Sequence, residues 1–200
     1  LGLTAAVAFM VAGSPELIRA LVGNRLVFFG LVIAELGLVF YLSARADRLA
    51  PPVATGLFAL YSALNGVTLS VVLLAYTGES VATTIVVTAG MFGALALFGS
   101  TTTRSLAGAG QFFMMGLVGV ILASLVGMFW HSDALQFLIS VVGVIVFTGL
   151  TAYDAQRLKQ MALALPAGQA GSYAIVGALS LYLDFINLFL MLLRFTGRRD

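Results

Sequence analysis

Along the chain, long apolar runs alternate with short polar interruptions. A bilayer-spanning helix needs about 20 mostly apolar residues, and on that spacing seven segments emerge: Leu1–Ala12, Leu26–Ser43, Val53–Tyr76, Val81–Phe98, Gln111–Trp130, Leu135–Tyr153 and Tyr173–Phe195. The first is about half a span long and has no basic stretch ahead of it, so it reads as an N-terminally truncated span rather than a signal peptide. Gly13-Ser14-Pro15-Glu16 reads as a turn, with Ser14 as a helix cap and Pro15 at the first helical position, where its missing N–H is no loss. Arg45, Asp47, Arg48 and Pro51-Pro52 end the second segment, Gly78-Glu79 the third, and the polar run from Gly99 to Arg104 the fourth. Pro166 and Gly168 mark a turn between the sixth and seventh. The pattern predicts one domain over residues 1–200, an all-α integral membrane protein of seven transmembrane helices.

Composition supports that class. The chain is 61% hydrophobic and 9% charged, against roughly 45–50% and 25% in a soluble domain. The net charge of +2 is small and its arginines are scattered through loops, so a nucleic-acid partner has no support. With no cysteine there is no disulfide, thiolate metal site or Cys nucleophile. The 22 glycines include Gly93, Gly116, Gly119, Gly143 and Gly149 inside segments, where small residues let helix backbones approach closely in lipid.

Loop charge sets orientation. If the segments alternate, Arg45, Arg48, Arg104, Arg157 and Lys159 share one side, while the other side's loops hold Arg19 and Arg25. The positive-inside rule then places the start of the chain and the Asp154 end of the sixth segment in the cytoplasm. Arg194, Arg198 and Arg199 follow the seventh segment and would lie outside, unless that region is re-entrant; its length favours a full span.

Against this apolar background, four polar residues stand out: Glu35, Asn65, Asp154 and Asp184. An ionised carboxylate at the centre of a bilayer costs about 2.5–3.5 kcal/mol on insertion scales, so such residues usually face a bundle interior or a watery cavity. Asp154 lies roughly 9 Å before Gln160, and Asp184 roughly 17 Å into the seventh segment, at 1.5 Å per residue. Antiparallel neighbours joined by a short loop bring such depths together. Two carboxylates in contact titrate as a unit around a shared proton, which makes a pH sensor; otherwise a cation or basic side chain must compensate them. Arg45, at the end of the second segment, is on the correct side to compensate Asp154. Calcium is the metal suited to Asp154 and Asp184, because hard cations take oxygen ligands.

Ser180 and Asn187 flank Asp184 at helical spacing and share its face. The alternative for that stripe is interhelical hydrogen bonding with no ion, and for Asp154 a headgroup-level pair with Arg157. Glu35 either lines a pathway or bonds to Asn65. His131, in the loop WHSD, reads as a solvated residue. An intramembrane aspartyl protease also draws one Asp from each of two late helices, as general acid and base, but its second motif should read Gly-x-Gly-Asp and here it reads LYLD. A rhomboid-like serine protease would need its histidine in a helix, and a retinal protein a lysine in the last segment. These residues favour a non-enzymatic reading.

The pair TGLTAYDAQRLK and GALSLYLDFINLFLMLLR resembles the signature of the Bax inhibitor-1, or transmembrane Bax inhibitor motif, family, and LTAAVAF, AELGLVFYLSAR and FALYSALNGVTLS agree with it. The resemblance spans almost the whole chain. It implies seven helices with the C-terminal helix central, and a proton-sensitive calcium leak in which Asp154 and Asp184 are sensor and gate and Arg45 assists gating. It also implies a bacterial cytoplasmic membrane location, and leaves a non-conducting regulator of a membrane protease or stress pathway as the alternative.

Overall fold

A computed structural model of the chain describes residues 1–45, 48–130, 132–164 and 170–198. Its described residues form eight helices: α1 (Gly2–Ala12), α2 (Pro15–Gly23), α3 (Arg25–Ala44), α4 (Pro51–Leu73), α5 (Gly78–Thr101), α6 (Ala107–Phe129), α7 (Asp133–Ala164) and α8 (Ala170–Thr196). Six of them, α3 to α8, are long and apolar enough to cross a membrane. The pair α1 and α2, bent by 93° at its break, makes a seventh crossing if it is one span. The all-α membrane class therefore stands. The last helix is the most enclosed, with half of its apolar window buried, a larger share than in any other span.

Two boundaries differ from the hydropathy reading. Residues 15–23 are a helix of their own; their mixed composition, with Glu16 and Arg19 among apolar residues, hid them behind the turn signal. Pro15 does open that helix, and Ser14 sits at its cap position, although the Ser14 side chain makes no cap bond. The sixth apolar segment continues well past Tyr153, giving α7 32 residues, about 48 Å against a hydrocarbon core of about 30 Å. The polar stretch from Asp154 to Gln160 thus continues the helix beyond the apolar segment. His131, the turn at Pro166 and Gly168, Asp47 and Arg199 lie outside the described residues.

The chain divides into two compact units. The first holds α1 to α4, residues 166–179 and residues 198–200; the second holds residues 79–165 and 180–197, which are α5 after its first residue, α6, α7 and the rest of α8. In the first unit α1 packs on α4, and Gly66 makes that approach possible: a methyl group there would lie 2.6 Å from the Thr4 carbonyl oxygen. In the second, Gly99 of α5 lies against α7 so closely that a methyl group would be 2.0 Å from the Ala152 carbonyl oxygen. No described glycine has a positive φ, so these positions serve close packing and not backbone freedom. The second unit's core gathers Val120, Ile139, Phe147, Leu150, Leu188 and Leu192.

Hydroxyl groups inside the spans are largely satisfied within their own helices. Ser70 donates to the Val67 carbonyl, Thr88 to Thr84, Ser124 to Val120, Ser140 to Gln136 and Thr151 to Phe147, at 2.6–2.8 Å. Such back-bonding lets a polar side chain enter hydrocarbon without a partner helix. Carboxyl groups have no such solution, because they carry no donor when ionised.

Candidate functional site

The second unit holds a cavity of about 890 Å³ lined from α6, α7 and α8, and both Asp154 and Asp184 face it. Antiparallel register between α7 and α8 accounts for this meeting. Phe137 and Phe195 are in ring contact, with centroids 5.5 Å apart, at one end of the helix pair. From that end the two helices run on past Gly143, which lies against Met191, to Asp154 and Asp184. The two carboxyl groups come within hydrogen-bonding reach of each other. Asp184 is buried, and its Oδ2 finds no donor among the described residues. Ionised carboxylates only accept, so two of them cannot bond to each other without a proton, a cation or a donor such as water between them.

Ser180 and Asn187 line the same cavity, on the face of α8 that carries Asp184. Arg157 is an exposed electrostatic neighbour of Asp154, one turn further along α7. The charged tail of α7 also has a mechanical role that composition did not reveal. Gln156 accepts from the Leu106 amide and donates to the Arg104 carbonyl, both at 2.8 Å, and Lys159 donates to the Ser100 carbonyl at 2.8 Å. These bonds tie α7, beside Asp154, to the connection between α5 and α6. A carboxamide has both donor and acceptor and so can clamp a turn through its backbone; that chemistry was the available signal.

Glu35 and Asn65 belong to the first unit, as does Arg45. The Asn65 amide donates to Glu35 Oε2 at 3.3 Å, and the Thr68 hydroxyl donates to Oε1. Asn65 and Thr68 stand three residues apart on α4, so both reach the carboxylate from one face. Of the two sequence readings for Glu35, the bond to Asn65 is present, and Thr68 is the partner that sequence reasoning missed. Arg45 follows the last residue of α3, is exposed, and stacks over the Tyr41 ring at 5.7 Å. Among the described residues no three of His, Cys, Asp and Glu gather into a metal-holding group. The cavity therefore offers two carboxyl groups and neutral oxygens, a sparse donor set for a cation that takes 6–8 oxygens.

Six to seven apolar helices with carboxyl groups turned into a membrane cavity define a multi-pass helical membrane protein. Residues 1–200 match the family model described as "Inhibitor of apoptosis-promoting Bax1", and the chain belongs to the Bax inhibitor-1 family. It is 52% identical over 200 residues to the inner membrane protein YbhL of Escherichia coli, covering 98% of this chain and 86% of that one. Uncharacterized proteins of Borreliella burgdorferi and Deinococcus radiodurans are each 44% identical, over all of this chain and 88% and 86% of theirs.

Proposed function

We propose that this protein is a pH-sensitive calcium leak channel of a bacterial cytoplasmic membrane, with its N-terminus in the cytoplasm and with Asp154 and Asp184 acting together as sensor and gate. The observation that carries the reading is the pair of carboxyl groups in one membrane cavity, with a buried Asp184 oxygen that has no donor among the described residues. A shared proton closes the pair by joining two acceptors. Its loss leaves two like charges that a passing calcium ion offsets, so proton and calcium compete for one place. Calcium is cargo here: two carboxylates with Ser180 and Asn187 leave most of its ligand shell to water, which suits passage better than storage. Arg45 is the alternative counter-charge, and the reading is non-enzymatic.

The test is efflux from calcium-loaded vesicles carrying the purified protein, measured with a calcium dye across a pH series. Wild type should leak in a pH-dependent way, and Asp184→Asn, which cannot share the proton, should flatten that dependence. Identical profiles for the two proteins remove the carboxyl mechanism. Wild-type protein that passes no calcium at any pH favours the other reading, a non-conducting regulator of a membrane protease or stress pathway.

A further inference from the structure

The cavity extends far beyond the two aspartates. On α7 its lining runs from Asp154 back to Gln136, 18 residues or about 27 Å, close to the roughly 30 Å of a hydrocarbon core. One wall is open sideways: Met114, Ile121, Leu125 and Met128 of α6 all line it, yet each is 50–59% exposed. In a spanning helix that exposure is to lipid, so the groove adjoins the hydrocarbon along its length.

Its two ends differ in charge. Far from the aspartates, Arg194 is the only cation among the lining residues, and it lies in the last turn of α8. Gln136, an amide donor in the first turn of α7, lines the same end. Trp130, 72% exposed just beyond α6, marks that end as interfacial, where tryptophan settles at headgroup depth. A cation and an amide at headgroup depth above a bilayer-deep apolar groove match a phosphate ester with a long chain. A partner helix fits the wall less well, since helix association in lipid relies on small residues and this wall is built of Met, Leu and Ile, side chains that adapt to an irregular occupant.

We infer that this groove is a binding site for a membrane phospholipid, its phosphate held by Arg194 and Gln136 and an acyl chain lying along α6 toward Asp154 and Asp184. The lipid would form the missing wall of the cavity.

The test uses the full chain in calcium-free phosphatidylglycerol vesicles doped with a phospholipid carrying a photoactivatable diazirine on its acyl chain, followed by peptide mapping. Label should concentrate on α6 around Ile121 and Leu125, several-fold above the lipid-facing residues Ile33 and Phe40 of α3. Arg194→Gln should remove most of that excess and Arg194→Lys should keep it, with the α3 label as an internal measure of intact protein. The inference is overturned if α6 is labelled no more than α3, if Arg194→Gln leaves the excess unchanged, or if a diazirine diacylglycerol lacking phosphate labels α6 equally well. With no calcium flux measured, the result is independent of whether the protein conducts.

Discussion

Glu35 and Asp184 confront the same difficulty with opposite outcomes. Both are buried carboxyl groups in membrane helices, 7% and 5% exposed, so burial does not distinguish them. Glu35 has a donor on each oxygen, the Thr68 hydroxyl and the Asn65 amide. Asp184 faces another acid, and one of its oxygens has no donor among the described residues. Neutral donors occupy both oxygens of Glu35, whereas Asp154 and Asp184, when ionised, offer each other only acceptors. The chain thus contains a settled carboxyl site and an unsettled one, and the unsettled one belongs to a cavity.

That contrast can be attacked at several strengths. The largest expected effect is the loss of pH dependence of calcium efflux in Asp184→Asn; Glu35→Gln should retain it, and a pH profile flattened by Glu35→Gln but not by Asp184→Asn would invert the comparison. In stability the order reverses. Glu35→Leu takes the acceptor away from the Thr68 and Asn65 donors and should lower stability by about 1–3 kcal/mol, read from unfolding in detergent. Asp184→Asn replaces a buried acid that faces another acid with an amide able to donate to it, and should leave stability unchanged or raise it; a loss as large as that of Glu35→Leu would erase the distinction. Gln156→Ala should weaken the tie between α7 and the 104–106 backbone by about 1 kcal/mol, seen as faster hydrogen exchange at the Leu106 amide with the efflux profile retained. The smallest change belongs to Arg157→Gln: an exposed charge near Asp154 should contribute less than about 1 kcal/mol, shifting the pH profile slightly without flattening it.

The rest of the contrast between the units is architectural. Close approach of α1 to α4 at Gly66 and of α5 to α7 at Gly99 depends on missing side chains, and the second unit combines that approach with a cavity lined by acids. Glycines were visible as small residues, and their partners were not. Likewise Gln156 and Lys159 looked like part of a solvated helix end. Their bonds to the backbone at 100–106 appear only when residues some fifty positions apart meet.

Membrane class, the approximate spans and the rarity of the intramembrane acids were all legible in the linear chain, because hydropathy and the need to satisfy every backbone group in lipid are local constraints that each segment meets by itself. The motif around Asp154 and Asp184 was equally local, and with it the family. Other features depended on contact between segments. The helix at residues 15–23 is too short and too mixed for a hydropathy signal, and α7 extends through a polar stretch because its outer end binds neighbouring backbone. Which donor meets which carboxylate depends on helix register, and register follows from side chains packing across helices. For that reason the chain alone could mark Asp154 and Asp184 by their motif and leave Glu35 between a pathway and a bond to Asn65, while folding supplied the two donors of Glu35 and set the two aspartates beside one cavity.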